Sequence, residues 1–311
     1  MKGEGAGVSR VELLSPKVDF VFKRIFGTEE NKDVLAHFLN SVFEDSGEPL
    51  IADVEILNPF LEKEALSDKL AVLDVKARTE SGTLINVEVQ LWNHQDMEKR
   101  TLYYWAKLFQ SQLKEGDSYY ALQKAVTINV VDFRYIETEA YHSTFHLRED
   151  KTGLLLTDLA EIHFVELPKL KEQSVGTERR LVKWMLFLTA KTREQLEVLV
   201  MGDPVMRKAL TTLEFLSQDE ETRRLYEERM KGLQTYVADI EGARREGREE
   251  GRKEGREEGR KEGREEGYRE ARREMARAML EAGDNVEKVV RLTKLPREQV
   301  EAIQRELESG R

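Results

Sequence analysis

Asp74, Glu88 and Gln90 lie on one side of the stretch LDVKARTESGTLINVEVQL, residues 73–91, in which every second residue is apolar. Leu73, Val75, Ala77, Ile85, Val87, Val89 and Leu91 form one set, and Asp74, Lys76, Arg78, Asn86, Glu88 and Gln90 the other. That alternation predicts two strands of a hairpin. With Glu80-Ser81-Gly82 as a three-residue turn and Gly82 in the left-handed position, Thr79 pairs with Thr83 and Asp74 falls opposite Glu88. Directly opposed residues share a face, so two carboxylates become neighbours, with Gln90 two residues along. They repel unless a cation lies between them. A hard divalent ion such as Mg²⁺ suits two carboxylates and a few waters. Lys76 and Arg78 are a second source of positive charge, and a solvated polar face is the simplest alternative.

Other chemistry-bearing residues are sparse. His142 and His146 have the spacing of a helical metal pair, but YHSTFHLRE alternates like a strand, which argues against ligation. His94, just past Gln90, reads as a loop histidine. No nucleophile elbow, phosphate-cradling glycine loop or dinucleotide fingerprint is present. The chain has no cysteine, which excludes disulfides and thiolate metal sites and fits a cytoplasmic location.

The elements that must position the hairpin follow from periodicity. In SPKVDFVFKRIFGTEENKDVLAHFLNSVF, Val18, Phe22, Ile25 and Phe26 share one helical face, and Val34, Leu35, Phe38, Leu39 and Val42 another, with a break at Gly27. LIADVEILNPF reads as a strand ahead of the hairpin. HQDMEKRTLYYWAKLFQSQLKEGD follows as a helix ending near Gly116, with Tyr103 and Trp105 expected to pack. KAVTINVVDF, YHSTFHLRE and EIHFVELPKL complete the strands, giving a mixed α/β domain over 15–170 after a flexible tail at 1–14. Residues 171–240 turn helical, with Pro204 suited to a first helical turn.

The chain's 311 residues exceed the usual single domain, and its 35% charged residues exceed the usual share. Much of that excess lies in a repeat over 241–268, where Gly247, Gly251, Gly255, Gly259, Gly263 and Gly267 recur every fourth residue. As a helix the repeat would gain pairs such as Glu249 with Lys253 and Glu257 with Lys261. Each glycine costs about 0.8–1 kcal/mol relative to Ala, so the repeat reads either as a helix supported by self-association or as a charged linker. Residues 269–311 recover amphipathic spacing. Gly283 and Asp284 end one helix and begin another, and Pro296 opens a third, as a small helical region or a helix-turn-helix. A net charge of −10 argues against coating of nucleic acid by bulk attraction, while a local site stays open. No run approaches the roughly 18–20 apolar residues of a membrane span, so no membrane is expected as a partner.

SPKVDFVFKRIFG, LNPF, LAVLDVKARTESGTLINVEVQL and RTLYYWAKLFQSQLKEGDSYYALQKAVTINVVDF together resemble the Rpn family of recombination-promoting nucleases, also described as PD-(D/E)XK nuclease family transposases. The resemblance spans roughly 14–150, and the charged glycine repeat also resembles what many of these proteins carry. It implies a restriction-endonuclease-like α/β core with a mixed sheet and a C-terminal helical extension, a divalent metal (Mg²⁺ or Mn²⁺), and cleavage of phosphodiester bonds in DNA during recombination, mobile-element movement or defence. Asp74 matches the motif's Asp, Glu88 its second acid, and Gln90 the position where the wider superfamily usually has Lys. Gln offers a neutral dipole where Lys would offer charge. Lys76 is the candidate to replace it, and Asp19, at a recurrent acidic position of the first helix, is either a further metal contact or an exposed helix residue. Arg100 and Tyr104 match the family's R-x-x-Y-Y region and are candidate substrate contacts. The departure at Gln90 keeps open a catalytically weakened fold that only binds DNA. The repeat keeps open an assembly scaffold, with homo-oligomers formed through the C-terminal region.

Overall fold

The computed structural model describes residues 12–58, 75–93, 96–172 and 176–309, with the side chains of 171 and 172 excluded. The chain forms two compact units that divide between Glu227 and Glu228. The first is built on six strands: β1 (Val54–Ile56), β2 (Val75–Thr79), β3 (Leu84–Gln90), β4 (Ala125–Val131), β5 (His142–Arg148) and β6 (Leu155–Glu166). Their order across the sheet is β1-β2-β3-β4-β6-β5. Strands β1, β2 and β3 run antiparallel, β3, β4 and β6 run parallel, and β5 returns antiparallel along β6.

The hairpin is the expected one. Val75 pairs with Val87 and Ala77 with Ile85, and the Thr79 amide donates to the Thr83 carbonyl at 3.0 Å. Gly82 turns the chain at φ 90°, a left-handed conformation that favours glycine. Of LIADVEILNPF, Val54–Ile56 forms β1 against β2 and the Leu57 amide still donates to the Lys76 carbonyl at 2.8 Å, while Pro59 and Phe60 lie outside the described residues.

Each sheet face is covered for a sequence reason. Helix α1 (Asp19–Phe26) stops at Gly27, and α2 (Lys32–Ser46) stops at left-handed Gly47. The apolar faces of both are buried as the spacing predicts, with Val18, Phe22, Ile25, Phe26, Val34, Leu35, Phe38, Leu39 and Val42 at most 1% exposed. A side-chain carbon at Gly27 would lie 3.3 Å from Val75, so α1 approaches the apolar side of the hairpin closely. Helix α3 (Met97–Gln110) connects β3 to the parallel β4 and lies over the other face. It ends before Gly116, which instead makes a separate left-handed turn. Trp105 anchors it by donating Nε1–H to the Ala125 carbonyl at 2.9 Å and stacking on Phe109. Tyr103, expected to pack, is 63% exposed, because it stands two residues, about 200° around the helix, from the buried Thr101.

Helices α4 (Arg180–Thr189), α5 (Arg193–Leu199) and α6 (Pro204–Gln218) complete the first unit, with Pro204 in the first turn and Asp203 capping it. Trp184, fully buried, packs against Phe26, Phe38 and Phe187. Helix α7 (Glu220–Glu281) starts in this unit, where Tyr226 meets Phe20 edge-on and Thr222 accepts from Arg24 at 2.7 Å.

In the second unit α7 is helical through all six repeat glycines, and a side chain built at any of them would meet nothing within 4 Å. Past left-handed Gly283, α8 (Val286–Thr293) and α9 (Arg297–Ser309) fold against the end of α7 around Ala276, Val289, Leu295, Val300 and Ile303. The N-cap of α8 is Asn285, which accepts from the Lys288 amide, whereas Asp284 pairs with the Lys288 ammonium. Among the described residues no helix is long and apolar enough to cross a membrane.

Candidate functional site

Glu88 sits near the end of β3 and faces α3. The parity of β3 puts Leu84, Asn86, Glu88 and Gln90 on that face, and the parallel register sets Thr127 beside Asn86 and Asn129 beside Glu88. The face is not solvated. Asn86 is 1% and Glu88 2% exposed, because α3 lies over them and Thr101 locks it down by donating to Asn129 at 3.0 Å. Asn129 in turn donates to the His163 carbonyl at 3.0 Å.

A carboxylate this buried needs donors. Asn86 Nδ2–H donates to Glu88 Oε1 at 3.3 Å, and Arg100 Nε–H reaches Oε2 at 3.4 Å. The Arg100 guanidinium lies 5.1 Å from the centre of the Tyr104 ring. The four residues come from two successive elements, β3 and α3. Their junction places them, since Arg100, on the first turn of α3, is only 12 residues from Glu88.

The remaining expected residues are distributed as follows. Lys76 is paired in register with Asn86, and its amide donates to Asn58 Oδ1 at 2.7 Å. Gln90 is half-buried, and its carbonyl accepts from the Asp132 amide at 2.9 Å. Asp19 opens α1 and accepts locally from the Phe20 amide at 2.9 Å. Asp74 and His94 lie outside the described residues. The register that the Asp74–Glu88 pairing requires, Val75 with Val87, is present in the described strands.

The chemistry of the donor set suits a hard cation: a buried carboxylate, oriented by the Asn86 amide at one oxygen and by Arg100 at the other, is the ligand type such an ion takes. Asn86 Oδ1 and Thr127 Oγ1, adjacent on β3 and β4, are buried without a hydrogen-bond partner among the described residues. Polar capacity beside Glu88 is therefore unfilled.

The opposite face carries a second polar cluster that sequence reasoning missed. Glu161, with no exposure, accepts from Lys124 at 2.5 Å, and lies 3.1 Å from His146 Nε2 and 2.5 Å from His163 Nε2. His163 meets His142 at 2.9 Å, which meets Asp45 at 2.9 Å. Tyr141 donates to Asp45 at 3.0 Å. Burial raises the Glu161 pKa, but His163 and Lys124 outweigh it and bring the carboxyl down to about 2. Burial also lowers the His163 pKa, against the pull of Glu161. With Asp45 and Glu161 both ionised, the three bonds joining them through two rings need three protons, one more than two neutral imidazoles supply. The signal was available: His142 and His146 on one strand, and Glu161 and His163 on another, each share a face by alternation.

Glu48, His146 and Glu161 bring ligand atoms within 4.8 Å of one another. The Lys124 ammonium already fills that position, 2.9 Å from Glu48 and 2.5 Å from Glu161, so a metal would have to expel it. A cleft of about 540 Å³ lined by Ser41, Glu44, Asp45, Arg179 and Arg180 opens beside this cluster, away from Glu88.

The family model described as PD-(D/E)XK nuclease family transposase matches residues 16–243. The match runs from before α1 into α7 and leaves the glycines from Gly247 onward outside it. No curated protein and no solved structure matches the chain.

Proposed function

The chain belongs to the PD-(D/E)XK nuclease family transposases, and from that membership we propose that it is a divalent-metal-dependent DNA endonuclease acting in recombination, mobile-element movement or defence. The carrying observation is Glu88: a strand carboxylate 2% exposed, oriented on both oxygens, with unfilled polar capacity beside it. A merely solubilising acid would be left in water.

In this reading Glu88 and Asp74 hold Mg²⁺ or Mn²⁺, with Asp19 as a candidate further ligand. Bound there, the ion supplies an acidified water and offsets charge on the phosphate. Asn86 orients Glu88, and Tyr104 supports the Arg100 guanidinium, whose N–H groups suit a phosphodiester oxygen. Gln90 positions water through its amide, and Lys76 supplies the positive charge that Gln90 lacks. The site works in the cytoplasm on DNA reached through a local cleft.

We assign self-association to the repeat of α7. Arg244, Arg248, Arg252, Arg256, Arg260 and Arg264 form one row at four-residue spacing, and Glu246, Glu250, Glu254, Glu258, Glu262 and Glu266 another, with the glycine row between. Two parallel copies meeting at their glycines set the Arg row of each against the Glu row of the other, whereas antiparallel copies oppose like rows. Light scattering of the full chain at micromolar concentration checks this, and a monomer contradicts it.

Supercoiled plasmid incubated with the protein, with Mg²⁺ and then with chelator, tests the activity. Nicking that stops with chelator supports it. A gel shift without nicking favours the weakened fold that binds DNA, the reading Gln90 keeps in play.

A further inference from the structure

We infer that Arg100 is an exchangeable counter-ion of Glu88. It holds the carboxylate in the metal-free protein and yields it when a divalent cation binds. This rests on Glu88 being a metal-holding carboxylate, as proposed above.

The two faces of the sheet set the contrast. Lys124 grips Glu161 and Glu48 at 2.5 and 2.9 Å, a short two-sided arrangement that closes its position to other cations. Arg100 instead reaches Glu88 with the single Nε–H at 3.4 Å, off the two-pronged geometry that makes guanidinium–carboxylate pairs strong. The Arg100 side chain is 25% exposed, against 2% for Glu88, so it has a path outward that Glu88 lacks. The Tyr104 ring, 5.1 Å away, offers the displaced guanidinium a face on which to rest.

Asn86 completes the arrangement. It is a neutral donor on the other oxygen, so it orients Glu88 without competing with a cation for charge. Its Oδ1 has no hydrogen-bond partner among the described residues, which leaves the amide freer to adjust as an ion enters. Lys76, in register with Asn86, keeps a second positive charge on this face throughout.

Guanidinium and divalent ion compete for one carboxylate, so removing the guanidinium charge strengthens ion binding even as it removes a phosphate contact. A purely structural arginine would do the reverse, since its loss loosens the site.

Mn²⁺ binding to the full chain, followed by isothermal titration or by the free-ion paramagnetic signal, separates the two. Arg100→Gln should bind Mn²⁺ more tightly by about threefold or more at low salt, a gain that shrinks as salt rises. Arg100→Lys, which keeps the charge, should stay near the parent affinity. Plasmid nicking should fall in Arg100→Gln despite tighter ion binding. Unchanged or weaker Mn²⁺ binding in Arg100→Gln overturns the inference. Should that variant fail to fold, the parent protein decides: phenylglyoxal labelling of Arg100, read by peptide mapping, should quicken when Mg²⁺ is added, and unchanged or slower labelling overturns the inference. Glu88→Gln is the control for the underlying reading. If it binds Mn²⁺ as well as the parent does, the ion sits elsewhere, and both that reading and the exchange fall together.

Discussion

Glu161→Gln removes one negative charge from the buried cluster and nothing else of size. The parent carboxylate is unexposed and touches Lys124, His146 and His163. Gln keeps an oxygen to accept from one imidazole, but its amide then points N–H groups at the remaining donors. Breaking a buried pair by removing one partner costs about 3–5 kcal/mol. Lys124 keeps Glu48 at 2.9 Å and is 20% exposed, which puts the expected loss at the low end, about 3 kcal/mol. Adding Lys124→Met removes the stranded ammonium and should recover at least about 1 kcal/mol, a coupling expected of residues in direct contact. Urea unfolding of parent, single and double variants at neutral pH measures both quantities. Because the cluster lies on the face away from Glu88, nicking per folded molecule should survive in the single variant. A loss within about 0.5 kcal/mol, or a double variant no better than the single, refutes the reasoning. Abolished nicking in a folded Glu161→Gln protein would shift the chemistry to the Glu48–His146–Glu161 group.

Three further outcomes follow from other parts of the molecule. Since the Glu161 carboxyl falls from the ordinary 4.5 to about 2, its stabilisation is complete above about pH 4.5 and is lost as pH drops toward 2. The ceiling is about 3 kcal/mol, and a Glu161→Gln protein with the same acid limb as the parent contradicts it. Gly82→Ala forces a side chain onto φ 90° and to within 3.2 Å of Gln123, so melting should drop by an amount equivalent to about 1–2 kcal/mol. An unchanged melt rules out the turn geometry. Gly255→Ala with Gly259→Ala meets open space in the helix and should raise far-ultraviolet helicity, at about 0.8–1 kcal/mol per site, while loosening self-association. Higher helicity with unaltered association removes the glycine row from the interface.

The hairpin was legible because its alternation, turn residues and Gly82 all specify one register, and Thr79 meets Thr83 as that register requires. Helix faces around Phe22, Phe26 and Phe38 were equally legible from 3.6-residue spacing. What covers the polar side of β3 was not. A row reading Asn86, Glu88, Gln90 looks solvated until α3 folds over it, and only a tertiary contact such as Thr101 with Asn129 brings that about. The Glu161 cluster was only half legible: alternation pairs His142 with His146 and Glu161 with His163, but Asp45 of α2, Glu48 just past it and Lys124 ahead of β4 join them only through tertiary contacts. In the repeat, propensity alone weighs against a helix, whereas α7 is continuous through it.

The central claim is that Glu88 holds the ion that cuts DNA, and Glu88→Gln tests it most directly. The substitution keeps size and shape and can still accept from Asn86, while it removes the charge a divalent cation needs. Plasmid nicking and thermal unfolding are measured on the same preparations of parent and variant, across a range of Mg²⁺ concentrations. The account predicts a folded variant in which metal-dependent nicking has fallen by at least about a hundredfold, the scale expected when one group that stabilises developing charge is lost. A folded Glu88→Gln protein that nicks like the parent at every Mg²⁺ concentration contradicts it.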